Sequence, residues 1–411
     1  MNNVNIVDNG AYTAKVGSIY NDKPMCVPNC IMKAKSERRR AFIGNQLEEC
    51  RDASGLFYML AFQRGYLLNW DIQKTVWDHL FSPECASMSL ADGILIVTEP
   101  QFNFPSIQEA ITEIFFEEYE CDALHRTTAA DLSAFHYFQW KRPVHNYCIV
   151  IDMGYSFTHI VPILKGRRYK KAIRRIDIGG KVLTNHLKEL ISYRHLNVMD
   201  ESYVVNQIKE DICFVSENFN EDMKRLMRKT DNSVIQEYVL PDFTTVKRGC
   251  ITFYNIESHS PSTKRIFRYV RKPGEPMPDQ QTLRLGNERF TIPEVLFHPS
   301  DVGIQQMGVP ETVLNSLQDC PPETHHLLLA NIIVVGGCAM FPGMERRLQN
   351  EIRALAPDDI EVNVKVADDP ITYPWMGGKL FSKSINFMEE IITREEYEEN
   401  GVQLSLDKFD I

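Results

Sequence analysis

Apolar and polar residues follow the same pattern at two places in the chain, residues 4–16 and residues 147–161. In each segment a run of β-branched residues enters an Asp-x-Gly sequence, at Asp8 and at Asp152, and a second run of the same kind follows. Two such runs joined by a tight turn are typical of a β-hairpin. The chain is therefore predicted to contain two related domains, each of which opens with a hairpin.

Strands and helices alternate outside these hairpins. Continuous apolar runs at residues 93–97 and 331–335 predict buried strands. Apolar residues at helical spacing predict helices over residues 106–120, with Ser106 as the N-cap, and over residues 340–352. Such an alternation is typical of the α/β fold class, in which helices cover both faces of a sheet.

The composition is typical of a globular protein. Of the 411 residues, 44% are hydrophobic and 24% are charged, and this length predicts two or more lobes with a ligand cleft between them. The net charge of −10 disfavours a protein whose whole surface coats nucleic acid. We also expect reduced cysteines, no membrane-spanning helix and no secretion, because the ten cysteines form no CxxC pair and no apolar run reaches about 18 residues.

Basic residues are concentrated in three segments. Residues 165–175 contain seven Lys or Arg in eleven positions, and residues 247–281 combine basic residues with Pro and Ser. The remaining segment contains Lys33, Lys35, Arg38, Arg39 and Arg40. Such clusters on an acidic chain favour an acidic partner, nucleic acid included, although solvated loops explain them equally well. A long irregular segment such as residues 247–281 is typical of a contact surface or of a disordered loop.

The two Asp-x-Gly turns carry the residues best suited to bind a ligand. An Asp at the end of a buried strand offers a carboxylate to a hydrated cation, and the N–H groups of the following turn cradle a phosphate. Two facing turns, at residues 8–10 and 152–154, would hold a nucleoside triphosphate between them. Lys15 would direct a positive charge at the phosphates, and His159 would order a water molecule. Either Asp-x-Gly sequence alone is explained at least as well by a turn that only reverses the chain and binds no ligand.

A third glycine-rich turn follows the predicted strand at residues 331–335. Gly336 and Gly337 lie where this strand meets the next helix, and glycine at such a place lets a ribose or a purine approach the backbone closely. The sequence contains no GxxxxGK motif followed by Ser or Thr, and no GxGxxG, GxSxG or HExxH. Dehydrogenase, serine hydrolase and zincin functions therefore lose their main support.

Taken together, these motifs resemble the actin fold, which actins share with sugar kinases and heat-shock chaperone ATPases, over essentially the whole chain. The stretches similar to actins, rather than to the kinases and chaperones, are residues 69–71, 288–300, 336–343 and 393–401. A finer resemblance is to the nuclear actin-related proteins of subfamily six. It is carried by residues 54–58, 99–109, 154–163, 179–194 and 408–411.

The resemblance implies the actin-like (ribonuclease H-like) fold, with two related α/β lobes around a central nucleotide cleft. The subdomains that it implies are residues 1–28 with 61–142 and 374–411 (one), 29–60 (two), 143–178 with 305–373 (three) and 179–304 (four). Subdomain two is shorter than in actins, and the insertion at residues 247–281 is extra. We therefore expect a specialised docking surface and no filament formation.

The resemblance also implies a cofactor, ATP or ADP with magnesium, and the residues that would bind it. The metal would be held at Asp8 and Asp152. The positions that match the family's nucleotide contacts are Asp8, Gly10, Lys15, Asp152, Gly154, His159, Gly180, Lys209, Glu210, Gly336, Gly337 and Met340.

The two phosphate-binding turns depart from the actin pattern. After the first Asp-Asn-Gly, actins have a small hydroxyl residue and Gly, where this chain has Ala11 and Tyr12. In the second turn actins have Asp-Gly, where this chain has Tyr155 and Ser156. A Tyr side chain needs the space of the terminal phosphate, and the lost carboxylate removes a ligand of the hydrated cation. The glutamine that orients the attacking water is matched by Ser133, which is too short, so we expect no enzyme and assign no catalytic residue.

The function implied by the resemblance is that of a non-motor structural subunit in a nuclear, ATP-driven chromatin-remodelling complex. Such complexes exchange a core histone for its Z variant, and some members of the subfamily are linked to heterochromatin. Its partners would be the other subunits, with nucleosome or DNA at the basic segments, and no membrane. Its location would be the nucleus, with a cytoplasmic pool. The alternatives are an active actin-fold ATPase or kinase and a filament-forming actin.

Overall fold

The structure, a computed structural model, describes residues 3–37, 39–91, 93–141, 146–228, 233–244, 246–251 and 281–409. The strands in these residues are β1 (Asn3–Asn9), β2 (Thr13–Ser18), β3 (Met25–Pro28), β4 (Cys30–Lys33), β5 (Ala41–Ile43), β6 (Phe57–Leu60), β7 (Phe62–Gln63), β8 (Tyr66–Leu67), β9 (Gly93–Glu99), β10 (Ala123–Thr128), β11 (Cys148–Met153), β12 (Thr158–Leu164), β13 (Arg167–Arg168), β14 (Arg174–Ile176), β15 (Gln236–Val239), β16 (Cys250–Ile251), β17 (Thr282–Leu285), β18 (Ile332–Val335), β19 (Val364–Val366) and β20 (Ile392–Thr393).

The α-helices in the described residues are α1 (Trp70–Phe81), α2 (Pro105–Glu113), α3 (Ala129–Lys141), α4 (Gly180–Arg194), α5 (Ser202–Ile212), α6 (Phe219–Met227), α7 (Glu288–Glu294), α8 (Val309–Gln318), α9 (His325–Leu329), α10 (Met344–Leu355), α11 (Tyr373–Phe381), α12 (Arg394–Asn400) and α13 (Gln403–Phe409).

The first large sheet has the strand order β20-β10-β9-β1-β2-β3. Strands β1 and β2 form the predicted antiparallel hairpin, in which Asp8 lies opposite Lys15. On its other side β1 pairs in parallel with β9, and β9 pairs in parallel with β10. The hairpin predicted at residues 4–16 and the strand predicted at residues 93–97 are therefore confirmed.

The second large sheet repeats this arrangement. Strands β11 and β12 form an antiparallel hairpin with Asp152 opposite His159, and β11 pairs in parallel with β18, which pairs in parallel with β19. Strands β13 and β14 both pair with β12. Each sheet thus combines one hairpin with two further parallel strands, which confirms the predicted relation between two domains. Below, the first lobe means residues 3–141 with 373–409, and the second lobe means residues 146–366.

Both large sheets are covered on both faces, as the α/β prediction requires. In β1, Val7 contributes to one apolar cluster and Ile6 to another, because successive side chains point to opposite faces. In β11, Ile151 and Val150 likewise belong to two different apolar clusters. All seven residues of β9 are buried, and the first five form the continuous apolar run that a strand buried on both faces is expected to have. The C-terminal ends of β1, β11 and β18 then carry the three predicted turns.

Two predicted helices have different boundaries in the structure. Helix α2 begins at Pro105 without a side-chain cap, so the prediction of Ser106 as N-cap is wrong. Proline fixes φ near the helical value and is therefore well suited to the first helical position. A π-helical turn, Ile114–Glu118, follows α2. Helix α10 begins only at Met344, because Gly343 has a φ of 88° and interrupts the helix predicted from residue 340.

Two small sheets extend from the lobes. Strand β4 pairs with β5 and β6, and β15 pairs with β16 and β17. The insertion predicted at residues 247–281 includes strand β16, and its residues 252–280 lie outside the described residues. The four subdomain boundaries remain a prediction.

Candidate functional site

The first turn places a buried ion pair at the end of β1. Lys15 Nζ lies 3.0 Å from Asp8 Oδ2, and the Thr98 hydroxyl donates a hydrogen bond to Asp8 Oδ1 at 2.6 Å. Burial lowers the pKa of Lys15, but the charge of Asp8 and its hydrogen bond outweigh this effect, so the pKa is raised overall. Both oxygens of Asp8 therefore have partners inside the protein. Gly10 lies beside this pair, since a Cβ there would be 3.1 Å from Lys15 Nζ.

The second turn faces the first. Burial, and then the negative charge of Asp8, raise the pKa of Asp152 to about 6. His159 is buried, and this burial, followed by the charge of Arg175, lowers its pKa to about 3. The Nε2 atom of His159 has no hydrogen-bond partner among the described residues. The Gly154 N–H donates to the Phe157 carbonyl and closes the turn.

Two tyrosines fill the space between the turns. The rings of Tyr12 and Tyr155 stack, with centroids 4.7 Å apart and an angle of 26° between the ring planes. Asn206 Nδ2 donates to the Tyr12 hydroxyl at 2.9 Å. Burial, followed by the charge of Glu210, raises the pKa of Tyr12, and burial raises the pKa of Tyr155 to about 12. Both phenols are therefore neutral at ordinary pH.

The predicted nucleoside contacts on α4 and α5 bond to one another. Lys209 Nζ donates to the Gly180 carbonyl at 3.1 Å, to Thr184 Oγ1 at 2.9 Å and to Asn206 Oδ1 at 2.8 Å. An ammonium group has three protons, so Lys209 has none left for a ligand. Glu210 accepts from Asn206 Nδ2 at 2.7 Å, and burial raises the pKa of this carboxyl.

The third turn leaves open backbone beside the second. Gly336 has a φ of 92°, and a Cβ there would lie 2.4 Å from the Met153 carbonyl oxygen, so only glycine fits. A Cβ on Gly337 would meet nothing within 4 Å. Met340 is 58% exposed and lies at the surface.

The residues at the phosphate end of the cleft do not fit a nucleoside triphosphate with magnesium. The tyrosine stack occupies the space between the turns, and Lys15 and Lys209 already donate within the protein. No group of three or more His, Cys, Asp or Glu residues that could hold a metal ion occurs among the described residues. At the other end, Gly337 has open space where a side chain would stand. The structure thus brings together the predicted residues of the two phosphate turns and those of α4 and α5, and their binding role remains a prediction.

Three contributors to the site were missed from the sequence: Thr98, Thr184 and Asn206. Asn206 lies three residues before Lys209 on α5, and this spacing places both on one helix face, so it is a signal that was available. Thr98 comes from β9 and has no such local signal. Ser133 was predicted at the water-orienting position, but it is buried on α3 and donates to the Ala129 carbonyl of its own helix at 2.7 Å.

The basic segment at residues 165–175 is only partly available to a partner. Arg168 forms an ion pair with Asp131 at 2.9 Å, and Arg174 pairs with Asp319. Lys165, Arg167, Lys170 and Lys171 are exposed.

In the basic segment near β4, Lys35 pairs with Asp200 at 3.0 Å and Arg40 pairs with Glu49. Lys33 and Arg39 are exposed, and Arg38 lies outside the described residues. Within the described ranges, no helix has the length and apolarity needed to span a membrane.

Comparison with known proteins identifies the family. The actin family profile matches residues 1–410. Actin-related protein 6 of Drosophila melanogaster is 56% identical over 410 residues, which cover 98% of both chains. Actin-like protein ARP6 of Yarrowia lipolytica is 36% identical over 98% of this chain and 97% of its own. Actin-related protein 6 of Oryza sativa subsp. indica is 36% identical over 96% of both chains. The chain therefore belongs to the actin family, in the group of the actin-related proteins of subfamily six.

Proposed function

We propose that the chain is a non-motor structural subunit of a nuclear, ATP-dependent chromatin-remodelling complex that exchanges the Z histone variant into nucleosomes. In this role it contributes to transcription regulation and chromatin organisation, heterochromatin included. Membership of subfamily six supports the assembly, and the stack of Tyr12 on Tyr155 is the observation that supports a structural rather than an enzymatic role.

An ATPase of this fold needs space for the terminal phosphate and a side chain that orients the attacking water. Here the tyrosine rings take up the space between the two phosphate turns. The Ser133 hydroxyl is bonded within its own helix, so it has no proton left to orient a water molecule. These features favour a subunit that provides binding surfaces, while another subunit of the complex hydrolyses ATP.

The proposed partners are the other subunits, together with nucleosome or DNA at the exposed basic residues of the second lobe. Lys165, Arg167 and Lys171 lie on or beside the β13 hairpin. Phosphate groups of a nucleic acid or carboxylates of an acidic subunit are complementary to such a surface. Residues 247–281 remain a second proposed contact. We propose a nuclear location with a cytoplasmic pool, no membrane contact and no filament formation.

Native mass spectrometry of the protein isolated from nuclei tests the proposal, because it reports bound subunits and bound nucleotide together. We expect a large stoichiometric complex. A free monomer as the dominant nuclear species would contradict the assembly. ATP turnover by the purified protein would support an actin-fold ATPase instead, and concentration-dependent pelleting would support a filament-forming actin.

A further inference from the structure

We propose that Tyr12 and Tyr155 form an interlobe clasp that replaces the terminal phosphate and its metal, so that the lobes close without nucleotide and the cleft rejects nucleoside triphosphates. The clasp does not depend on the proposed assembly.

The clasp joins elements that belong to different lobes. Tyr12 lies in the turn between β1 and β2 of the first lobe, and Tyr155 lies in the turn between β11 and β12 of the second lobe. Their ring centroids are 4.7 Å apart, which is the distance of direct stacking. In the actin pattern the matching positions are Gly and Asp, both shorter than Tyr, and the ligand spans the gap. Here the protein spans it with its own side chains.

A hydrogen bond positions the Tyr12 ring, and close packing positions the Tyr155 ring. Asn206 of α5 donates to the Tyr12 hydroxyl, and its carbonyl oxygen accepts from Lys209. The Tyr155 ring lies against Gly180, because a Cβ there would be 3.4 Å from Tyr155 Cδ2. Lys209 and Gly180, which were expected to contact the nucleoside, thus help to position the two tyrosine rings. An incoming ligand would have to break this network before it gained any contact of its own.

The lobes also meet at the outer end of the cleft. Both carboxylate oxygens of Glu201 accept from the Gly55 N–H, at 3.0 and 3.1 Å, and Lys35 pairs with Asp200. Tyr203 packs against the small apolar core that includes Cys30 and Met32. Because residues 29–60 contact the start of α5 directly, this end is closed by protein contacts alone.

A third set of contacts closes the base of the cleft. Phe157 packs so closely on Gly65 that a Cβ on this glycine would be 1.7 Å from Phe157 Cε1. Arg175 donates to the Tyr66 hydroxyl at 2.7 Å and lies over the Phe157 ring. Contacts at the outer end, the middle and the base together make a nucleotide unnecessary for closure.

Nucleotide affinity of the full-length protein is the first test. The double variant Tyr12→Gly/Tyr155→Asp restores the actin pattern at both positions and should bind MgATP at least about 100-fold more tightly than the wild type in calorimetric titration. MgADP serves as a second probe. Equal MgATP affinity for the two proteins, whether both bind or neither does, would overturn the proposal. Far-UV circular dichroism checks that the variant is folded.

Closure without nucleotide is the second test, and it needs no restored binding. The Gly55 amide donates to Glu201 across the cleft, so its protection from hydrogen exchange reports whether the two lobes are closed. We expect protection in nucleotide-free wild-type protein, no change on addition of MgATP, and faster exchange in Tyr12→Ala/Tyr155→Ala. Tyr155→Phe keeps the stack and should behave as the wild type. Wild-type protection that appears only with MgATP would overturn the clasp.

Discussion

At the scale of single residues, both lysines of this cleft already have partners within the protein. Lys15 is paired with Asp8, and Lys209 gives its three protons to neutral oxygens of the protein. Removing a buried charge from such a network exposes unpaired partners and costs several kcal/mol. A site that binds and releases a charged ligand keeps some of these groups available. Here their bonds contribute to the stability of the fold instead.

His159 gives a prediction about pH. Its folded pKa of about 3 lies below its ordinary value of 6.5, so the unfolded chain binds the extra proton and stability is lost as the pH falls through this window. We expect the wild type to lose more free energy of unfolding between pH 7 and pH 5 than His159→Phe does, in urea titrations at each pH. The exposed His326→Gln should follow the wild type. Parallel curves for His159→Phe and the wild type would contradict this prediction.

Residue contacts were predictable where the chain itself sets the geometry. A hairpin places positions at equal distance from its turn opposite each other, so the pairing of Asp8 with Lys15 follows once β1 and β2 are recognised. The tyrosine stack does not follow in this way. The sequence indicated that Tyr12 would crowd a phosphate, but its partner Tyr155 comes from the other lobe. Only the packing of the two lobes brings them together.

At the scale of elements, the base of the cleft depends on a glycine turn between β7 and β8. Gly65 has a φ of 78°, and Phe157 of the second lobe lies directly against it. Gly166 has nearly the same φ, 79°, but a Cβ there would meet nothing within 4 Å. A substitution at Gly65 therefore costs both backbone strain and a clash between the lobes, whereas the same substitution at Gly166 costs backbone strain only.

We predict that Gly65→Ala lowers the free energy of unfolding by about 3 kcal/mol, because the new methyl group displaces Phe157 as well as straining the backbone. Gly166→Ala should cost only about 1 kcal/mol, from backbone strain alone. Chemical denaturation of both variants and the wild type measures the difference. If the two substitutions cost the same, the Phe157 contact contributes nothing to stability.

Strands were more predictable than helix ends, for a physical reason. The apolar runs at the start of β9 and throughout β18 are typical of strands buried on both faces, and they can be recognised from the sequence alone. Helix α10 begins late because Gly343 lies against the Val215 carbonyl, where a Cβ would be only 2.3 Å away. That constraint comes from a distant part of the chain, so local spacing could not show it.

At the scale of the whole molecule, the exposed basic residues of the second lobe stand out on a chain of net charge −10. We predict that Lys165→Glu/Arg167→Glu/Lys171→Glu weakens nucleosome binding roughly 10-fold at low salt and reduces its salt dependence. Fluorescence anisotropy at several salt concentrations measures both quantities.

A matched control makes the same charge change elsewhere on the surface, at the exposed Lys23, Lys224 and Lys383. We expect this control to keep most of the affinity. An equal loss in both triple variants would assign the effect to net charge and not to the β13 hairpin. Arg168→Glu is unsuitable for this test, because it breaks the ion pair with Asp131 and disturbs the contact between lobes.

The tyrosine stack keeps the two lobes closed at any cellular concentration of nucleotide. The two rings belong to one chain, so each meets the other at an effective concentration that the fold sets and that no dilution changes. A nucleotide stabilises closed lobes only in proportion to its free concentration relative to its dissociation constant. With the rings in its place, a partner surface that spans both lobes keeps its geometry in a cell rich in ATP and in one depleted of it.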